Sequence, residues 1–427
     1  METYPTWHFE KDNDKSISHV LKGTKTSSIF IYNNHNSLPN QLLQVGSIGI
    51  LIFDNEKKAC KTRTTKVIFT EFRNITLEFA HQEEEAIQSL ESYQESYFNF
   101  FRTIDPNFQL TSKIISYSFE VIEDLTKARL KTAYIIAESN KKILLNTMPI
   151  TEINAGFNND IFNVCDQYII KVCSNPDLES EFLKESSFYI KHSNSTHFPK
   201  LYRYDDSKSL IPFVYEIMQK INGKSLYYYW YKMNEEQKEE TIKKIVEIVK
   251  EIHQKADFNG NWCEYFKNDV KKCYEKTKEC FNEEERKIFE AAFALFDRFL
   301  IDNNFVWIHN DLHFDNILVD GEKLYFIDFN DAMIAPIDYD FRIFFICMDM
   351  PWRWANSEMD PLQKKEDYQT IITYVLKYYK EMAEVNYLEQ RMIIYSIQNE
   401  INLLARFNNL SLKETILSYS KRLLNLV

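Results

Sequence analysis

The chain has 427 residues, 44% of them hydrophobic and 27% charged, with a formal net charge of −12. That length is more than one ordinary domain, and the composition excludes a disordered chain. The acidic balance excludes a general polyanion binder, because counterion release needs clustered Lys and Arg, so no DNA partner is expected.

Seven cysteines, at positions 60, 165, 173, 263, 273, 280 and 347, form no C-x-x-C pair and no zinc-site spacing, and they are expected to be buried free thiols. The first residues, METYPTWHFEKDNDK, lack the charged and apolar regions of a signal peptide. No apolar run approaches the roughly 18 residues of a membrane span. A cytoplasmic protein without a membrane partner is expected.

In chain order, β-branched and aromatic runs predict strands at 46–53, 62–69 and 114–122. Leu90, Tyr93, Tyr97, Phe98 and Phe101 recur at helical spacing, predicting a helix over 80–101. Residues 125–147 read either as a connecting helix or as the first strand of the next domain, and the domain boundary falls there. Gly156 precedes two strands, IFNV and YIIKVC, joined by Cys165-Asp166-Gln167. Lys171 lies in the second of these, where a buried ammonium needs an anionic partner. After residue 235 the pattern is helical, including 361–427, apart from one hairpin near 317–328.

The chemistry concentrates in residues 307–340, WIHNDLHFDNILVDGEKLYFIDFNDAMIAPIDYD. His309-x-Asp311 is followed by Asn316, an apolar strand, a turn at Asp320-Gly321, and a second strand ending at Asp328. Phosphoryl transfer needs a carboxylate to orient the acceptor hydroxyl and oxygen ligands for Mg²⁺. Asp311 supplies the first, and a hairpin brings Asn316 and Asp328 together for the second. Taken singly, each is a capping or turn residue; their joint order and spacing point to chemistry.

This segment resembles the catalytic loop and metal-binding strand of the protein-kinase-like fold, in its aminoglycoside phosphotransferase and choline kinase branch. The resemblance implies an α+β bilobal domain with a mostly helical C-lobe, at 148–222 and 223–427. It further implies Asp311 as base, Asn316 and Asp328 as Mg²⁺ ligands, and Gly156 and Asn159 in a short loop over the phosphates. Lys171 would pair with the phosphates and with Glu185 or, one turn earlier, Glu181; Met218 would lie near the base, and Asp340 would be structural. His253 receives no catalytic role. ATP or GTP would donate the phosphoryl group and a small-molecule hydroxyl would accept it. Nothing after residue 340 names the acceptor.

Residues 1–124 carry VLKGTKTSS, VG, ILIFD, TRTTKVIFTEF, LEFAHQEEEAIQSLESYQESYFNFF and IISYSFEVIED in order. That set resembles the ASCH domain, a small β-barrel related to PUA RNA-binding modules. It implies a cleft with Lys25, a hydroxyl from Thr26 or Ser28, and Glu83. Some relatives hydrolyse an amide of acetylcytidine there, but Ser28 stands where those hydrolases carry Thr. RNA or nucleoside binding, scaffolding and hydrolysis all stay open for this domain. Two rival readings of the whole chain are an RNA- or nucleoside-handling protein and a non-catalytic nucleotide sensor.

Overall fold

The computed structural model describes residues 4–33, 37–54, 56–83, 89–153, 159–301, 304–356 and 358–426. The protein is mixed α+β, in two compact units: Met1–Pro176 with Asp205–Ile217, and Asp177–Tyr204 with Met218–Val427.

Unit 1 begins with β1 (Thr6–Trp7), α1 (Asn13–Leu21), β2 (Ser27–Ile31), β3 (Ile48–Ile52), β4 (Lys58–Glu71), α2 (Leu77–Glu83), α3 (Leu90–Ile104) and β5 (Lys113–Asp124). Its five strands form a sheet in the order β1-β3-β4-β5-β2, with β1 and β2 at the edges. Alternation along β2 explains its two-sided burial. Phe30 joins Trp7, Leu51, Tyr117 and Phe119 in one core, while Ile29 and Ile31 join Phe72, Tyr93 and Phe101 in another. The strand expected at 62–69 is longer, and register shifts at Lys61/Thr62 and Thr64/Lys66 bend it. The helix expected over 80–101 is two helices. Ser89 starts the second by accepting the Ser92 amide, and residues 84–88 lie outside the described set.

The ambiguous stretch after residue 124 is a helix, α4 (Leu125–Ser139), capped by the Asp124 carboxylate at the Thr126 and Lys127 amides. Its buried Ala133, Ile136 and Ala137 pack with Phe162, Ile170, Tyr215 and Ile217. These last residues sit on β7 (Asp160–Val164), β8 (Tyr168–Cys173) and the later β10; β6 (Ile150–Ile153), β7 and β8 pair antiparallel in sequence order.

Unit 2 opens with α5 (Glu179–Lys191); β9 (Leu201–Asp205) and β10 (Val214–Gln219) each cross the division between the units. Then come β11 (Lys224–Ser225), α6 (Tyr227–Trp230), α7 (Glu235–Ile252), α8 (Trp262–Thr277), α9 (Glu283–Phe293) and α10 (Phe296–Phe299). Residues 305–336 hold β12 (Phe305–Ile308), β13 (Ile317–Asp320), β14 (Lys323–Phe326) and β15 (Met333–Pro336). α11 (Arg342–Asp349), α12 (Ile371–Tyr378), α13 (Lys380–Ala383), α14 (Leu388–Phe407) and α15 (Ser411–Asn425) complete it.

Where one hairpin was expected there are two pairings: β13 lies between β11 and β14, and β12 pairs with β15. The second pair frames the first, because β12 runs into His309 and β15 runs into Asp338. α14 is the buried axis of the unit. Its Arg391 reaches Asp338 through two bonds of 2.6 and 2.8 Å, with both side chains buried.

All seven cysteines are free, but only Cys60, Cys173 and Cys347 are buried; the other four are half-exposed. No helix of the described residues is long and apolar enough to cross a membrane.

Candidate active site

The loop between β12 and β13 is pinned from below by Asp340. This buried carboxylate accepts the His309 amide at 3.1 Å and the Asn310 amide at 2.8 Å. His253, the residue after α7, donates Nε2–H to it at 2.9 Å and meets the Tyr379 hydroxyl with Nδ1. Burial alone would raise the Asp340 pKa, but the His253 hydrogen bond and the charges around it hold it below the usual range. The helix-end histidine thus belongs to the support of the loop.

The His309 ring is fully buried, which lowers its pKa. Its Nε2 faces the Ile327 carbonyl at 2.9 Å and its Nδ1 accepts the Asp311 amide at 3.3 Å, so the neutral ring carries its proton on Nε2. His309 therefore ties the strand before Asp311 to the strand before Asp328.

Asp311 itself has its side chain one-third exposed. Its Oδ2 accepts from Asn316 Nδ2 at 3.2 Å and lies 3.4 Å from His313 Nε2. Among the described residues none bonds Oδ1. Burial acts to raise this carboxyl, but His313, His309 and Arg342 outweigh it and keep it well below the ordinary carboxylate range. The Asp315 amide fills His313 Nδ1 at 3.2 Å, which leaves the ring proton on Nε2, toward Asp311. Trp354 stacks on the other face of His313, with centroids 6.0 Å apart and planes 17° apart.

Asn316 and Asp328 sit at the open end of the hairpin. Ile317 pairs with Phe326, and the Ile327 amide donates to the Asn316 carbonyl at 3.1 Å, extending the ladder one step. Asn316 is buried, and its Nδ2 goes to Asp311, which leaves its Oδ1 for another partner. Asp328 has φ +66, in the left-handed region, as does Asn310 at +69. Backbone of this kind persists where its surroundings over-determine it. Here Phe329 supplies the constraint: it stacks on Phe188 of α5 at 3.7 Å and packs against Phe198 and His309. Asn330 Nδ2 donates to Asp328 Oδ1 at 2.5 Å.

The two oxygen donors suit a hard divalent cation, which takes few protein ligands and keeps waters and phosphate oxygens. No cluster of three or more His, Cys, Asp or Glu able to hold a metal occurs among the described residues.

A sequence profile of the Phosphotransferase enzyme family matches residues 149–371, more than half of the chain. The chain belongs to that family. It is a kinase-type phosphotransferase with a hydroxyl acceptor. Residues 5–123 match the ASCH domain. Among solved structures, the gentamicin complex of the phosphotransferase APH(2″)-IIa is 19% identical, covering 68% of this chain and 95% of that one, with a TM-score of 0.50. ADP-bound aminoglycoside phosphotransferase APH(2″)-Ib is 19% identical over 68% of this chain and 98% of that one, at 0.52. The GDP complex of aminoglycoside 2′-phosphotransferase-IIIa is 14% identical over 69% and 97%, also at 0.52. At these identities the likeness concerns the fold. No curated protein sequence matches the chain.

Of the phosphotransferase residues named from sequence, Lys171 is buried on β8, and Asn159 is buried just before β7 with an Oδ1 that lacks a described hydrogen-bond partner. Gly156 lies outside the described residues. On α5, Glu185 is buried and accepts from Tyr189 at 3.3 Å, whereas Glu181 is half-buried. Met218 is buried near the end of β10. His313, beside Asp311, and Trp354, stacked on it, were not named from sequence. His313 was visible as the third member of His-x-Asp-x-His, but Trp354 lies 43 residues beyond Asp311 with no spacing signal.

In the N-terminal domain, Lys25, Ser28 and Glu83 meet in a buried cluster. Glu83 Oε1 accepts from Lys25 at 3.2 Å, Ser28 at 3.0 Å and Tyr97 at 2.7 Å, and its Oε2 accepts from Tyr93. Lys25 Nζ also lies 4.9 Å from the centre of the Phe9 ring. Thr26 does not join: it is exposed, and its backbone bonds Gln82 and Phe119. Of the two candidate hydroxyls, Ser28, on β2, bonds Glu83, whereas Thr26 lies just before the strand and points its side chain to solvent.

Proposed function

We propose that the protein transfers the γ-phosphoryl group of ATP or GTP, with Mg²⁺, to a hydroxyl of a small molecule. The observation that carries this reading is the asymmetry of Asp311, whose Oδ2 is held by Asn316 and His313 while Oδ1 has no described partner. An acceptor O–H donating to Oδ1 would be fixed in orientation before reaction. With its pKa held low, Asp311 stays ionised, orienting the hydroxyl first and taking its proton late in a loose transition state. Asn316 Oδ1 and the Asp328 carboxylate would hold Mg²⁺, which when bound supplies charge neutralisation on the nucleotide phosphates. The sequence pattern assigns Lys171, Glu185, Asn159 and Gly156 to the nucleotide side, Met218 to the base and 148–222 to its lobe. Two similar structures carry ADP or GDP, and one carries gentamicin, which supports a small-molecule acceptor.

The test is phosphate transfer by wild type and Asp311→Asn. Loss of transfer with nucleotide binding retained supports the assignment, and equal transfer by both sinks it.

For residues 5–123 we infer a PUA-like domain that binds RNA or a nucleoside at the Lys25 cluster. Four donors already bond Glu83, the Ser28 hydroxyl among them, so taking the Ser28 proton would compete with three other bonds, which favours binding over hydrolysis. Release of acetate from N4-acetylcytidine by the wild type, lost in Ser28→Ala, would reverse that preference.

A further inference from the structure

The β6-β7 pair is held by charges from outside the phosphotransferase match. Arg129 stands on α4, between the two matched stretches. Its guanidinium grips Glu152 of β6 in a fork, Nε to Oε1 at 2.8 Å and Nη2 to Oε2 at 3.2 Å. Nε also lies 3.7 Å from Asp160 Oδ1, at the start of β7, and Nη1 donates to the Lys58 carbonyl on β4.

Lys57, just before β4, is buried; burial pulls its pKa down, and the carboxylates of Asp160 and Glu152 oppose that pull. The turn that carries it is braced. Phe53 N–H donates to the Lys57 carbonyl at 2.9 Å, and Asn13 Nδ2 bonds Ile52 O at 3.0 Å and Asp54 Oδ1 at 2.9 Å.

Arg129 thus meets two anions on the β6-β7 hairpin, and the charge of the buried Lys57 is under the influence of the same two carboxylates. The side chains of Arg129, Glu152 and Asp160 are only 14, 17 and 11% exposed. In surroundings this dry, removing one partner strands the opposite charge, whereas exposed pairs contribute little. Asp160 is also the chain neighbour of Asn159.

We propose that Arg129 is a positioning residue for the phosphotransferase, supported by the charge of the buried Lys57: it fixes β6 and β7, and with them Asn159, in the nucleotide-binding arrangement. The N-terminal domain is then a required part of the nucleotide site and not an appended module. This rests on the nucleotide role of Asn159.

The experiment is calorimetric binding of Mg·ADP and Mg·GDP to the full chain, alongside thermal unfolding. Arg129→Gln and Lys57→Met are expected to weaken binding by about 10-fold or more, with Arg129→Gln/Glu152→Gln no worse than Arg129→Gln alone because the two act as one unit. Ile136→Val, in the buried face of the same helix, is the control: it lowers the melting temperature and leaves affinity unchanged. If the wild type binds and both variants bind within about two-fold of it, positioning is overturned while the nucleotide reading stands. If the wild type binds neither nucleotide, the nucleotide reading fails and takes this one with it. Should Arg129→Gln not fold, Lys57→Met, which keeps the stem and drops the charge, decides alone.

Discussion

At Asp311 one carboxylate oxygen is held by Asn316 and His313 while the other has no described partner, so the base and its support can be changed separately. Asp311→Asn keeps the shape and drops the base; turnover should fall by about 10²- to 10⁴-fold while nucleotide affinity is kept. His313→Ala removes the donor beside Oδ2. His313 lowers the Asp311 pKa, so its loss lets that pKa rise, and the acid limb of the activity profile should move to higher pH; an unmoved limb would remove His313 from the account. Glu10 gives a stability effect of known sign. Burial pushes its carboxyl from 4.5 up to about 7, against a Ser37 bond. The folded protein therefore holds a proton that the unfolded chain releases, so the wild type loses stability as pH rises from about 4.5 to 7. Glu10→Gln cannot lose it, and should gain on the order of 1 to 3 kcal/mol over wild type between pH 4.5 and 8 in urea titrations.

Among the elements, the β13-β14 hairpin carries the site, and the short β11 holds it. A Cβ on Gly223 would lie 2.6 Å from the Val319 carbonyl oxygen, a backbone atom that cannot move aside cheaply. The Leu226 amide donates to both Phe314 and Ile317 carbonyls. Gly223→Ala should push β11 off β13, costing about 1 to 3 kcal/mol and displacing Asn316; a melting temperature and turnover equal to wild type would contradict it. The hairpin was legible in the sequence because its two strands, its turn and its polar ends lie within one short contiguous stretch. The four-residue strands β12 and β15 were not, since FVWI and MIAP are too short for a period to register. The break between α2 and α3 was carried by Ser89 alone. Likewise the ambiguity of 125–147 is settled by tertiary packing of Ala133, Ile136 and Ala137, which no local signal in a mixed sequence reports.

Across the whole molecule, each unit gathers part of the chemistry. Unit 2 holds Asp311, Asn316, Asp328 and Glu185; unit 1 holds Asn159, Lys171 and the Lys25 cluster. The residues proposed for catalysis could be named from sequence because phosphoryl transfer demands fixed types in a fixed order, whereas the acceptor pocket has no such demand and left no motif. Arg129 shows the same limit: its importance comes from three elements that meet around it, and a lone Arg on a helix carries no signal of that. The central claim is that Asp311 works with nucleotide and Mg²⁺ on a hydroxyl acceptor. Its most direct test is transfer of labelled phosphate from ATP and GTP, with Mg²⁺, to aminoglycosides, choline, sugars, nucleosides and a metabolite extract, by wild type and Asp311→Asn. The account predicts a labelled product with the wild type that is lost in the variant. Equal labelling by both proteins, or nucleotide binding by a wild type that labels none of these acceptors, would contradict it.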